Sequence, residues 1–340
     1  MTIRDELAPA LQALAIHSWN SFSFAGGQPL AVPPAVPQAP GAVQTTPQWS
    51  LAAGIQATLY NECYVKRFPR RVPADDGVTP SETPFAQSLS NNNLTQNRWD
   101  LNWRIYALGA NGQLFLQKGE FQRSAMPGEY ISQGAPLQPG AQVDLWIRRE
   151  SFQAQLGFYF VYSETPTDTW DEFELLRYYF HATAKSAPAL LRYWTTELNR
   201  FRVPFRLKTL SEAAGYTRTD AMVLYFARRY HPLAARLALQ MPADVAAGLR
   251  PETPLFARTL RPGVGIAEDP NTGESFGMHR CRLTAEGILD AWATGLQTVD
   301  ARLRAIEARF RAAQLNLDRP HLSPGSSDLE DVPEEVDFNL

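Results

Sequence analysis

The run DAMVLYFA at positions 220–227 constrains the fold of this 340-residue chain more than any other stretch. Its apolar residues follow neither a helical nor an alternating period, which suits a strand buried on both faces of a sheet. Such a strand needs hydrogen-bonding neighbours on both edges and helices over it. PLAARLALQM, immediately behind, reads as one covering helix.

Candidate neighbours lie upstream. LLRYYFHAT (175–183) places Arg177, Tyr179 and His181 on one face and Leu176, Tyr178 and Phe180 on the other; VPFRLKTL (203–210) sets Phe205 and Leu207 opposite Arg206 and Lys208. VDLWIRRE (143–150) and QLGFYFVYSE (155–164) read as further strands. WRIYALGANGQLFLQKG contains a hairpin whose Asn111-Gly112 supplies the positive φ angles of its turn. Helical spacing appears over the first 17 residues, over 48–63, over 186–201, and twice between Met278 and Ala313 with a break near Gly295. Residues 262–277, rich in Gly and Pro, read as loop. The expected fold class is α+β: a mixed sheet with flanking helices and the N-terminal helices packed on it.

The organisation expected is an N-terminal helix (1–27), a Pro-rich linker (28–47), a helix and loop (48–94), the main α+β domain (95–313) and an acidic disordered tail (314–340). A formal charge of -3 provides no global field for nucleic acid or anionic membrane, so neither is expected as a partner. Cys63 and Cys281 stand far apart and form no CxxC pair, which argues against structural zinc and a stapled secreted domain. The start of the chain carries Asp5 and Glu6 and lacks the basic-then-apolar pattern of a signal peptide, and no apolar stretch reaches membrane-spanning length. The expectation is a cytoplasmic protein.

GxxxxGK[ST], HExxH, GxSxG and EF-hand signatures are all missing, which removes most of the case for nucleotide hydrolysis or metalloprotease chemistry. Basic residues stand out instead. Between 201 and 250, Arg202, Arg206, Lys208, Arg218, Arg228, Arg229, Arg236 and Arg250 face only Glu212, Asp220 and Asp244. The chain has four lysines, Lys66, Lys118, Lys185 and Lys208, and Lys208 shares a strand face with Arg206. In the plain reading, Lys208 extends its ammonium to solvent from an edge strand.

VPFRLKTL, YTRTDAMVLYFARRY, LRPETPLFARTLRPGVGIAEDP and GESFGMHRCRL resemble the HopA-type effector family, together with relatives found as lyase components beside lanthipeptide-type biosynthetic kinases. The resemblance runs over residues 100–295. It implies an α+β fold and, in the biosynthetic branch, phosphoserine/phosphothreonine lyase activity without metal, nucleotide or redox cofactor. The partners implied are a phosphorylated precursor peptide and a kinase similar to aminoglycoside phosphotransferases.

Elimination of phosphate states what such a site must hold. A base removes a weakly acidic Cα proton, for which a lysine of lowered pKa is suited. Guanidinium groups balance the charge growing on the departing phosphate, and histidine suits protonation of the leaving oxygen. Lys208 is the candidate base. Arg206, Arg218 and Arg280, then Arg177, are the candidate phosphate ligands; His279 and His181 are the candidate acids. Ser275 either donates to phosphate or caps the helix that begins near Met278. For each arginine the plain alternative is an ion pair, Asp220 for Arg218 and Glu274 for Arg280. The competing function is a non-catalytic interaction module, which has no need of a convergent cluster, so geometry separates the two.

Overall fold

The computed structural model describes residues 2–32, 47–70 and 84–329. The described chain forms three antiparallel sheets and eight α-helices. A small N-terminal sheet holds β1 (Leu14–Ser18), β2 (Ser21–Phe24) and β3 (Leu30–Ala31). β4 (Arg98–Leu108), β5 (Leu114–Lys118), β6 (Phe121–Ala125), β7 (Tyr130–Ser132) and β8 (Gln142–Ile147) form a five-stranded sheet ordered β6-β5-β4-β8-β7. The main sheet holds β9 (Glu150–Ser151), β10 (Phe158–Tyr162), β11 (Leu175–Phe180), β12 (Arg206–Leu210), β13 (Met222–Ala227), β14 (Arg258–Arg261) and β15 (Val264–Glu268), ordered β14-β15-β11-β13-β12-β10-β9. The helices are α1 (Ile3–Ala13), α2 (Pro47–Thr58), α3 (Phe85–Asn92), α4 (Ala187–Arg200), α5 (His231–Leu239), α6 (Ala243–Ala246), α7 (Phe276–Ala293) and α8 (Val299–Ala312).

The α+β class follows the sequence, but the main sheet is antiparallel at every pairing rather than mixed. β13 sits near its middle, between β11 and β12, as a run without a polar face requires. One face is closed by α4 and α5: Leu176, Tyr178, Phe180, Leu207, Leu224, Phe226 and Trp194 make one dry cluster. The opposite face carries the N-terminal helices, α7 and α8, which share a second core with Tyr179 and Val223. The hairpin forms where Asn111-Gly112 placed it, with φ of 54° and 77°.

Three expectations change. Helix α1, capped reciprocally by Thr2 and Asp5, stops at Ala13 because the next residues alternate buried Leu14 and Ile16 with exposed Ala15 and His17, the period of a strand. Residues 264–268, read as loop from their glycines, are the fully buried strand β15; Gly265 packs closely on Thr253, Ala257 and Pro254, where a Cβ would lie 3.1 Å from that of Thr253. Composition assigned 314–340 to an acidic tail, yet 314–329 belongs to the folded body. Leu317, Leu322 and Leu329 are buried, and Glu268 N donates to His321 O at 2.8 Å. Most of the Pro-rich linker (33–46) and the last residues (330–340) lie outside the described residues. No described helix is long and apolar enough to cross a membrane.

Candidate functional site

Strand register builds the site as a grid on the face of the main sheet opposite α4. Across one row lie Gly265 (β15), Tyr179 (β11), Val223 (β13), Lys208 (β12) and Phe160 (β10). The next row holds Ala267, Arg177, Tyr225, Arg206 and Tyr162. The Gly265–Tyr179–Val223 end is buried beneath the N-terminal helices and α7, whereas Lys208, Arg206, Tyr225, Phe160 and Tyr162 remain partly accessible. The site is therefore the half of the face that its cover leaves open.

A second element closes one side. After α2 the chain widens into a π-helical turn, Leu59–Tyr64, of the kind frequent at functional sites. It is fastened to the loop before β13, where Thr219 N donates to Val65 O at 2.9 Å and Thr219 Oγ1 to Tyr64 O at 3.1 Å. Gly277 on α7 permits the packing, because a Cβ there would lie 2.5 Å from the Tyr64 ring. The turn presents Tyr60, whose hydroxyl accepts from Arg218 Nη2 at 2.9 Å.

Four of the residues singled out in the sequence meet here: Lys208, Arg206, Arg177 and Arg218. Arg177 donates from Nε to Asp269 Oδ2 at 2.8 Å, and Arg218 donates from Nη2 to Asp220 Oδ2 at 2.8 Å, so the ion-pair reading is correct for both. Arg206 has no carboxylate partner among the described residues. Its guanidinium and that of Arg177 flank the Tyr225 ring, 4.9 and 5.3 Å from the centroid. Lys208 Nζ donates to Gln155 Oε1 at 2.8 Å and stands 3.8 Å from the centroid of Phe158. Burial, opposed by Asp220 and reinforced by Arg218, Arg177 and Arg206, lowers the Lys208 ammonium to about 8.

The other four residues lie elsewhere. Arg280 is 1% exposed and structural: Nε donates to Pro320 O and Nη2 to Leu322 O, both at 2.8 Å, and Nη1 donates to His279 Nδ1. That contact makes Nδ1 of His279 an acceptor. Burial, followed by Arg280 and Arg282, lowers His279 to about 4. His181 follows β11, with Nδ1 donating to Glu252 O at 3.1 Å; burial pushes it to about 4 as well. Both histidines are thus neutral near pH 7. Ser275 caps α7, accepting from Met278 N at 3.3 Å.

The HopA1 effector protein family matches residues 150–322, a span of 173 of the 340 residues that takes in every strand of the main sheet and the whole grid. The chain belongs to the HopA1 effector family. The match starts later than the resemblance at residue 100 and leaves the five-stranded sheet outside it. Solved structures similar to this chain include two effector proteins. An effector protein from Pseudomonas syringae pv. tomato strain DC3000 has 15% identity and a TM-score of 0.45, covering 81% of this chain and 95% of its own. Another from Pseudomonas syringae pv. syringae strain 61 has 14% identity and a TM-score of 0.43, covering 79% and 90%. No curated protein matches.

The sequence reading missed Tyr225, Tyr60, Asp220 as an organiser, Asp269 and Gln155. Tyr225 was legible in principle, since it alternates with Val223 on the same face of the apolar strand; Tyr60 and Gln155 arrive from distant segments and leave no local signal. Tyr162 lies at the open end, where Arg206 and Arg123 of β6 offset the effect of burial on its hydroxyl, so the five-stranded sheet flanks the site there. Among the described residues no cluster of three or more His, Cys, Asp or Glu is arranged to hold a metal.

Proposed function

We propose that this protein is a phosphoserine/phosphothreonine lyase acting on a peptide, with phosphate placed on the peptide by a partner kinase in a peptide-modification pathway. One observation carries the reading: a partly buried lysine of lowered pKa shares an open sheet face with the guanidiniums of Arg206 and Arg177, and Arg218 adds a third from the loop before β13. A neutral Lys208 amine takes the Cα proton, the Cα–Cβ double bond forms, and the Cβ–O bond breaks with its electron pair going to phosphate. Arg206, free of a carboxylate, holds the phosphate oxygens, while Arg177 and Arg218 add positive charge from positions fixed by Asp269 and Asp220. The neutral histidines leave the proton for the departing oxygen to Tyr225, whose ring is held between Arg177 and Arg206. The tyrosinate is then reprotonated by the Lys208 ammonium or by solvent.

The test is incubation of wild type and Lys208→Ala with phosphothreonine and phosphoserine peptides, read by mass spectrometry. Elimination gives a product lighter by one water than the product of a phosphatase. Wild-type elimination should rise with pH in proportion to free amine below about pH 8. Lys208→Ala should abolish it while peptide binding is retained, because the base acts in the transition state and the arginines hold the ground state. Binding of phosphopeptide without elimination by wild type, even with its kinase present, transfers the site to the interaction-module reading.

A further inference from the structure

The Lys208 side chain does not point into its own cluster of arginines in the resting protein. Its ammonium is drawn along the strand toward Phe158 and Gln155, one row beyond Phe160. Gln155 sits in the 152–157 loop between β9 and β10. This loop is turned by Ser151, whose Oγ accepts from Gln153 N and Ala154 N at 3.1 Å each, and pinned at its end by Ser211 N donating to Gly157 O at 3.1 Å. Gly157 has φ of +79°, which favours glycine, and the Leu156 side chain next to it is 97% exposed. An apolar side chain so placed adds no burial to the fold in this arrangement.

An amide oxygen at 2.8 Å and the face of an aromatic ring both favour a cation over a neutral amine. The ammonium is a poor base. We propose that Gln155 is a positioning residue that parks Lys208 as an ammonium on the Phe158 ring, and that Lys208 becomes available as a base when the 152–157 loop gives it up. The proton leaves to solvent on release. The proposal rests on the lyase reading for its consequence, but the parking is a property of the protein without substrate.

The groups facing Lys208 define what happens when Gln155 is removed. Arg206 on its own strand, Arg177 on β11 and Arg218 in the loop before β13 oppose the charge; Asp220 in that loop favours it. Tyr225 of β13 occupies the next row of the grid. With the amide acceptor gone, the guanidiniums and burial act with less opposition. Gln155→Leu should move the midpoint of Lys208 titration down by about one pH unit, the order expected for loss of a charged hydrogen bond. Gln155→Glu, placing a carboxylate there, should move it up.

Two readouts keep this distinct from the fate of the lyase reading. In the first, the pH dependence of Lys208 acetylation by acetic anhydride is followed by peptide mass spectrometry on the full chain and its two variants. The second is the pH profile of elimination from a phosphothreonine peptide, where the ascending limb of Gln155→Leu should shift down and its rate at pH 7 should rise several-fold. Opposite shifts of the acetylation midpoint in the two variants support the parking of Lys208. An unmoved midpoint in both overturns it, as does a Gln155→Leu enzyme slower at every pH with its limb unshifted. Absence of elimination by wild type at all pH values, with the acetylation midpoints still shifting, removes the lyase reading while leaving the hold of Gln155 on Lys208 in place.

Discussion

Alternate residues of the same strands build two unlike faces on the main sheet. Leu176, Tyr178 and Phe180 of β11, with Leu207 of β12 and Leu224 and Phe226 of β13, are at most 1% exposed beneath α4 and α5. One residue along in each strand, the other face gathers Arg177, Lys208, Arg206 and Tyr225. The first face is stabilised by packing around Trp194, whose ring centroid stands 5.1 Å from that of Phe180. The second holds charges at partial burial, where each guanidinium or ammonium costs solvation and is offset by a carboxylate, an amide or an aromatic ring. Stability and chemistry are thus separated by the period of a strand, and a one-residue slip in register would exchange them.

The largest effect is expected on the dry face. Trp194→Ala removes the largest fully buried side chain and leaves a cavity that α4 and the sheet cannot readily close. We expect a loss of about 3–5 kcal/mol in chemical denaturation. A loss below about 1 kcal/mol would mean that this face is loosely packed and that the two faces do not differ in what holds them.

Arg206→Ala tests the open face at the arginine without a carboxylate partner. Phosphopeptide affinity, measured by calorimetry, should fall by about 1.5–3 kcal/mol if the guanidinium makes a charged hydrogen bond to phosphate. Folding stability should change by no more than about 0.5 kcal/mol, as for an accessible side chain. Equal affinities in wild type and variant would take Arg206 out of the site, whereas a large stability loss would place it among the structural arginines with Arg280.

The same separation explains what was legible in the sequence. Strands announce themselves through alternation or, when buried on both faces, through a short unbroken apolar run, so β11, β12 and β13, the hairpin at Asn111 and the placing of Arg206 and Lys208 on one face were all within reach of a reader. β15 was not, because Gly263 and Gly265 both signal a turn locally; Gly263 does turn the chain before β15, with φ of 78°, whereas Gly265 inside the strand serves close packing beside Thr253 and Ala257, a tertiary fact. Residues 314–329 were misread for a related reason: acidic and proline-rich composition concealed a segment whose carbonyls accept from Arg280, Arg228 and Arg258. The histidines show the limit for chemistry. Sequence position made His279 a candidate acid, but its ring accepts from a buried arginine and is held neutral.

The smallest predicted effect bears on the residue that the proposed lyase chemistry rests on. Lys208 has its ammonium lowered from 10.5 to about 8 in the folded chain, first by burial. Between those two pH values the unfolded chain holds a proton that the folded chain has released, so protonation favours the unfolded state and stability contributed at this residue rises with pH across the window. Below about pH 8 the folded protein carries the charge at a cost; above about pH 10.5 neither state is protonated and the cost is gone. Lys208→Met keeps the apolar stem and removes the titration. The variant should therefore be at least as stable as wild type at pH 7, and its advantage should shrink as the pH is raised from 8 to 10.5, with the difference between the two proteins cancelling every other group that titrates there. The measurement is a pair of urea denaturation series at stepped pH. A difference that stays flat across the window would mean that water solvates the amine fully, and Lys208 would then be an ordinary surface lysine on a face whose charge has no catalytic use.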